Sequence, residues 1–259
     1  MARTTSSIDL NSDLGEGYGP WRMGDDAAIL RVVTSANIAC GGHAGDPDTM
    51  VDTLTLAGEA GVAAGAHPGF ADREGFGRRL IPMTAREVER LVATQIGALA
   101  GAAALAGTPL RYVKPHGALA NWVADEPDAA RAVVSAIRAI SRDLAVLAIS
   151  GTVLEREARA AGLSVFSEIF ADRGYLANGR LVPRRHEQAM IHDADVAAER
   201  LVAFLQDGMM PTVDGAAVAL DAHSICVHGD SAGALAMAVT IRGALEESGF
   251  DVEPFLKAP

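Results

Sequence analysis

The sequence predicts a single α/β domain, a parallel (β/α) barrel of about seven strands. Seven short apolar or β-branched runs alternate with helical patterns along the 259 residues, and this alternation is typical of parallel βαβ units. The chain is also close to the roughly 250 residues of such a barrel. An open, doubly wound sheet is the alternative. The runs are residues 8–10, 35–39, 62–66, 111–114, 144–149, 164–168 and 224–227.

Local signals mark the ends of several of these elements. Asp46 followed by Pro47 predicts a helix start, as does the capping box formed by Thr84 and Glu87. No linker, charge run or long-period repeat interrupts the sequence. Residues 1–259 are therefore predicted to form one domain.

One long irregular segment, residues 172–192, is rich in Gly and Arg. A loop of this length in a compact domain is usually a lid or a binding loop. Its Asn178-Gly179 pair predicts a local hairpin.

Composition narrows the range of functions. The chain is 49% hydrophobic but only 5% aromatic, and its formal net charge is -11. This charge disfavours nucleic acid or an anionic membrane as a partner, because both require a concentrated positive surface. The longest apolar run, 96–107, is shorter than the about 20 residues that cross a bilayer. Two cysteines, Cys40 and Cys226, and a first segment without signal-peptide character favour reduced thiols and a cytoplasmic protein.

Four of the seven histidines directly follow predicted strands, beside glycine or proline. They are His43, His67, His116 and His228. The carboxyl ends of parallel barrel strands open onto one face, so these side chains are expected to converge there. His223 precedes its strand and is expected at the opposite end.

Charged and polar residues lie at related positions. Alternation places Asp9, Asn11 and Asp13 on one face of the first strand, where Asp13 at the strand end is the best functional candidate. Asp9 and Asn11 fit a structural role equally well. Lys114 should point inward, where an ammonium can bind a carboxylate or a phosphate. Glu168 ends another strand and is a candidate base or the partner of an arginine.

Arginines flank the glycine-rich segment 69–77. Arg73, Arg78 and Arg79 could offer guanidinium groups to an anion, and salt bridges with Asp72 and Glu74 are the equally weighted alternative.

Several of these segments resemble the LamB/YcsF family, in matching order and nearly from end to end. The resemblance implies a barrel of the glycoside hydrolase/deacetylase type. It also implies an A subunit that acts with B and C subunits to open 5-oxo-L-proline to L-glutamate at the expense of ATP. The segments are 8–19 (IDLNSDLGEGYG), 35–46 (SANIACGGHAGD), 65–70 (GAHPGF), 113–119 (VKPHGAL), 168–175 (EIFADRGY) and 225–230 (ICVHGD).

For this reaction a water molecule needs a base, which Asp13, His43, His67 or His116 could supply. Lys114 could hold the substrate carboxylate or a phosphate. The groups expected to bind substrate are Asn11, Arg73, Glu168, His228 and Asp230. Asp230 could alternatively cap the last helix.

The sequence contains no P-loop, so the use of ATP is expected to depend on the partner subunits.

Two other functions stay open. A metal-dependent, deacetylase-like hydrolase would use Asp13, His43 and His67 as ligands to a divalent ion. A non-catalytic subunit would only bind substrate, through Lys114 and the arginines. We favour a base over a ligand role for His67 and His116, because no histidines show the helical i, i+4 pairing of many zinc hydrolases.

Overall fold

The computed structural model describes residues 7–229 and 233–256. Seven parallel strands form a closed barrel, because β9 pairs with both β6 and β1. This confirms the predicted fold and rules out the open sheet. The seven barrel strands are β1 (Ser7–Leu14), β2 (Ser35–Ala39), β3 (Ala63–His67), β4 (Leu110–Val113), β5 (Ala145–Ile149), β6 (Val165–Phe170) and β9 (Ser224–Cys226). The other strands of the described residues are β7 (Met209–Pro211), β8 (Ala217–Ala219) and β10 (Asp251–Val252).

Helices surround this barrel. The predicted starts are confirmed, since the Asp46 side chain accepts a hydrogen bond from the Thr49 backbone N–H, and Thr84 and Glu87 form the capping box. The helices are α1 (Asp26–Ile29), α2 (Pro47–Glu59), α3 (Ala85–Ala106), α4 (Gly117–Val123), α5 (Pro127–Ile140), α6 (Val153–Ala160), α7 (Ala194–Asp207) and α8 (Ala234–Glu247), with a 3₁₀ helix at Glu187–Ala189.

The long apolar run is part of α3, which begins eleven residues earlier than that run. Within the described part of the chain, α3 alone has the length and composition to cross a membrane. Its inner face, which includes Val88, Val92, Ile96 and Leu99, is fully buried. The helix packs beside α2 and α5 on the outside of the barrel, so its apolar character is explained by core packing.

Aromatic rings close the amino-terminal end of the barrel. Tyr112 and Phe166 point inward there and contact Phe255, with ring centroids 5.0 and 4.7 Å away. The short strand β10 brings Phe255 to this position by pairing with the start of β1. His223 packs against Phe166 at 5.5 Å, so it lies at this end, as predicted.

Two hairpins lie outside the barrel sheet. The segment 172–192 folds back on itself, with a turn from Leu176 to Arg180 in which Gly179 has a φ of 77°. This confirms the predicted hairpin. The antiparallel pair β7 and β8 was not predicted, because strands of three residues are too short to produce a clear alternating pattern.

Next to these aromatic rings, the interior of the barrel contains buried polar side chains. Asp9 is buried and accepts hydrogen bonds from Ser224, Ser35 and Thr34. Burial raises the pKa of Asp9 to about 6, although these hydrogen bonds act to lower it. Asp9 thus has a structural role, which the sequence left open.

The raised pKa of Asp9 predicts a pH-dependent stability. Since the native state holds this proton more tightly than the unfolded chain, the stability that Asp9 contributes should fall as pH rises from 4 through 6. Relative to Asp9→Asn, the wild type should lose about 2 kcal/mol between pH 4 and pH 7.5. Denaturant unfolding at each pH measures this loss. Asp143→Asn, at an exposed site, is the control, and parallel profiles for wild type and Asp9→Asn would contradict the assignment.

Candidate active site

A cavity of about 450 Å³ opens at the carboxyl ends of the barrel strands. This volume is within the usual range of small-molecule sites. Of the convergent residues predicted from the sequence, Asp13, His67, Lys114, His116 and His228 line the cavity. The predicted convergence of strand-end side chains is therefore observed. His43 lies behind His116, and the two rings stack at 3.6 Å.

Lys114 is the central charge of the cavity floor. Its Nζ lies 2.9 Å from Asp13 Oδ1 and 2.8 Å from Glu168 Oε1. It also donates to Asn11 Oδ1 at 3.2 Å and contacts Cys226 Sγ at 3.1 Å. All these groups are almost fully buried.

Lys114, Asp13 and Glu168 form an ion cluster, and its charges determine the charge states of its members. Burial acts to lower the pKa of Lys114, but the charges of Asp13 and Glu168 hold it well above its usual range. Burial acts to raise the pKa of Asp13, yet His67 and Lys114 hold it well below the usual value. Lys114 is therefore a cation that two carboxylates already surround. An incoming anion would meet net negative charge here, so Lys114 is poorly placed to hold a substrate carboxylate.

Glu168 differs from Asp13 in its surroundings. Among the described residues, neither of its carboxylate oxygens has a well-aligned hydrogen bond, although Oε1 is at ion-pair distance from Lys114. Burial raises the pKa of Glu168 and outweighs the attraction of Lys114. The residue is 1% exposed and lines the cavity. These are properties of a buried carboxylate that can accept a proton.

Three histidines and a glutamate form a compact cluster in one wall of the cavity. His116 Nδ1 lies 3.0 Å from His67 Nε2, and His43 Nε2 lies 3.1 Å from Glu16 Oε1. Burial, followed by the charge of neighbouring histidines, holds the pKa values of His43 and His116 well below the usual range. Both rings are therefore neutral at pH 7 and have a lone pair available.

This cluster is compatible with a divalent metal ion, since one ligand atom from each of its four members lies within 4.8 Å of the others. The ligand set differs from the expected Asp13, His43 and His67. Asp13 Oδ1 is bonded to Lys114 and to Asn37, and Asp13 Oδ2 lies 3.3 Å from His67 Nε2, beside the four-residue cluster.

A separate group lies on the opposite side of the cavity. His228 Nδ1 is 2.8 Å from the Asp172 carboxylate, and His228 Nε2 is 3.1 Å from Arg184 Nη2. Because a guanidinium only donates, His228 is the tautomer with a proton on Nδ1. Burial acts to raise the pKa of Asp172, but His228 and nearby arginines lower it overall. Asp230, expected to bind substrate, lies outside the described residues.

Two expected substrate-binding residues do not line the cavity. Asn11 is fully buried beneath it and bonds to Asn37, Ser224 and Lys114. Its observed position fits the structural role and supports the Lys114 ammonium.

Arg73 points outward from the barrel, where it donates to the Gly41 carbonyl at 3.0 Å and lies 4.0 Å from the centre of the Tyr18 ring. The salt bridge expected in that loop is made by Arg79 with Asp72. Instead of Arg73, Arg78 lines the cavity.

Sequence reasoning missed Glu16 and Arg184. Glu16 lies two residues after the end of β1, and this position was an available signal. Arg184 lies inside an irregular loop whose path no local pattern predicts.

The fold and the cavity together define a (β/α)-barrel protein with a polar cavity at the carboxyl ends of its strands. The chain belongs to the LamB/YcsF family, whose model matches residues 8–259.

Relatives match over nearly the whole chain. The A subunit of a 5-oxoprolinase from Rhodopseudomonas palustris (strain BisB5) is 50% identical over 251 residues, which cover 96% of this chain and 99% of the relative. The A subunit of a 5-oxoprolinase from Paracidovorax citrulli is 52% identical over 248 residues, with coverage of 96% and 99%.

Solved structures agree with this assignment. The lactam utilization protein from Thermus thermophilus is 42% identical, with a TM-score of 0.90 and coverage of 95% of this chain and 99% of that chain. A GH113 β-1,4-mannanase is 12% identical, with a TM-score of 0.53 and coverage of 93% and 99%. The latter likeness shows a shared barrel fold.

The ion cluster predicts that Lys114→Met is strongly destabilising. The change leaves Asp13 and Glu168 buried without their cation, which should cost about 3–5 kcal/mol. Thermal and denaturant unfolding measure the loss. Arg138→Met, which removes an exposed cation from α5, is the control and should change the free energy of unfolding little. An unchanged stability for Lys114→Met would show that the two carboxylates do not depend on this ammonium.

Proposed function

We propose that this chain is the lactam-processing subunit of an ATP-dependent 5-oxoprolinase. In this proposal it opens 5-oxo-L-proline to L-glutamate together with B and C subunits. The names of relatives that match nearly end to end support the reaction. The observation that carries the proposal is the cavity floor, where Lys114 holds two buried carboxylates of different pKa, Asp13 and Glu168.

The chemistry explains the need for ATP. A five-membered lactam is a weak electrophile, and transfer of the γ-phosphoryl group to its amide oxygen makes the ring carbon open to attack. Water then adds to this carbon, the ring C–N bond breaks, and the nitrogen takes up a proton. A second water releases phosphate from the glutamyl phosphate that results. The products are L-glutamate, ADP and phosphate.

Within the cavity, Glu168 is the group we assign to accept a proton from water. It is buried, its pKa is raised by burial, and it lines the cavity. Lys114 positions this carboxylate and keeps Asp13 ionised. Anionic groups of the substrate would lie toward the arginines that line the cavity, Arg78 and Arg184.

Phosphorylation is assigned to the complex, not to this chain alone. The sequence has no phosphate-binding loop of the Gly-Lys-Ser/Thr type. ATP binding therefore depends on the B and C subunits in this proposal. The two buried, free cysteines fit a reducing compartment such as the cytoplasm.

The isolated chain should show no 5-oxoprolinase turnover with ATP, because it lacks a recognisable site for the nucleotide phosphates. Adding the B and C subunits should restore glutamate formation, measured by coupled detection of glutamate and of ADP. Robust turnover by this chain alone would overturn the proposed division of labour.

In the assembled complex, Glu168→Gln should reduce kcat by about 10²–10⁴, as expected for loss of a general base. Substrate affinity should change much less, and the fold should be retained because Lys114 stays paired with Asp13. Glu247→Gln, at the exposed end of α8, is the matched control and should keep full activity. If Glu168→Gln keeps its kcat at equal partner concentrations, the chain only binds substrate for its partners and the catalytic assignment is wrong.

A further inference from the structure

We propose that Glu16, His43, His67 and His116 form a binding site for one divalent transition-metal ion, with zinc as the best fit. This site goes beyond the proposed function, because its occupancy does not depend on any partner subunit or on turnover. Glu16, His43 and His116 lie in the segments that follow β1, β2 and β4, and His67 is the last residue of β3. They meet in the wall of the cavity without the helical pairing that marks many zinc hydrolases.

Hydrogen bonds to backbone carbonyls set two of the ring orientations. His67 Nδ1 is 2.7 Å from the Lys114 carbonyl, and His116 Nε2 is 2.8 Å from the Phe76 carbonyl. A carbonyl only accepts, so both of these ring nitrogens carry protons. The remaining nitrogens, His67 Nε2 and His116 Nδ1, face each other at 3.0 Å. Metal-binding histidines are typically held by carbonyl contacts of this kind.

Two facing lone pairs at this distance require a cation between them, which is either a shared proton or a metal ion. A shared proton needs only the two histidines and the Asp13 carboxylate, whose Oδ2 lies 3.3 Å from His67 Nε2. It gives no reason for His43 Nε2 and Glu16 Oε1, 3.1 Å apart, to lie at the same point. Glu16 Oε1 is also only 3.8 Å from His116 Nδ1. A four-ligand metal site accounts for all four groups.

The loop beside the cluster is shaped to the histidine rings. Phe76, whose carbonyl accepts the hydrogen bond from His116 Nε2, has a φ of 53°, an uncommon conformation for a residue with a side chain. The next residue, Gly77, has a φ of 61°, and a Cβ there would lie 2.7 Å from His43 and 2.8 Å from His116. A Cβ at Gly69 would lie 2.8 Å from His43 Nδ1. The backbone therefore fits closely around the stacked rings.

The donor set selects the class of ion. Three imidazoles and one carboxylate suit zinc and its late first-row neighbours, whereas magnesium and calcium prefer oxygen ligands throughout. All four side chains are at most 6% exposed, so the ligands are well shielded. His67 and His116 also line the cavity, and a bound ion would therefore lie at its surface. There it could polarise a carbonyl or bind a water molecule.

Metal binding to the isolated chain tests this proposal directly. After removal of metal with a chelator, the chain is titrated with Zn²⁺ by calorimetry and with Co²⁺ by visible absorption. One ion per chain should bind, with the Co²⁺ ligand-field bands of a nitrogen- and oxygen-coordinated site. Mg²⁺ at the same concentrations should not bind.

Two variants separate the ligands from the fold. Glu16→Gln keeps the shape of the side chain, and His116→Asn removes an imidazole. Each should weaken Zn²⁺ binding by more than the roughly 10–100-fold that is typical for loss of an outer-shell partner. His192→Asn, at an exposed histidine, should bind like wild type. Zn²⁺ should raise the unfolding midpoint of wild type and of this control, but not of the two variants.

The absence of stoichiometric Zn²⁺ or Co²⁺ binding to the wild type would overturn the proposal in favour of a shared proton. Wild-type affinity in both Glu16→Gln and His116→Asn would also overturn it, by placing the ion elsewhere. Neither result depends on lactam hydrolysis, so this proposal and the proposed function can fail separately.

Discussion

The buried Lys114 ammonium is the interaction on which the rest of the site depends. It joins β1 and β6 across the barrel by pairing with Asp13 and Glu168. Burying either carboxylate without this cation would cost free energy, and so would burying the cation without the carboxylates. The backbone carbonyl of Lys114 also accepts a hydrogen bond from His67 Nδ1 and thereby orients the His67 ring. One position directly after β4 thus links the charged floor of the cavity to its histidine wall.

Different parts of the cavity offer different chemistry. The floor presents carboxylates, the histidine cluster presents nitrogen lone pairs, and the opposite side presents Arg184 and His228. A substrate that combines a neutral lactam with an anionic carboxylate matches this division. Four arginines, Arg78, Arg173, Arg180 and Arg184, line the cavity of this otherwise acidic chain.

The sequence predicted the barrel, all seven of its strands and the meeting of strand-end histidines. These features follow from local alternation and from the geometry that parallel strands share. It could not place Asn11 beneath the cavity, because alternation gives the face of a strand but not the depth of a residue in the barrel. Nor could the sequence show that Arg78 and not Arg73 lines the cavity. The path of their loop depends on positive φ angles at Phe76 and Gly77, which are set by tertiary packing.

The most direct test of the proposed site is a crystal structure of the chain with 5-oxo-L-proline bound. We expect the lactam ring in the cavity between Glu168 and His67, with its carboxylate directed toward Arg78 or Arg184. The Lys114 ammonium should stay paired with its two carboxylates. A ligand bound outside the cavity, or a substrate carboxylate that displaces Glu168 from Lys114, would contradict these assignments.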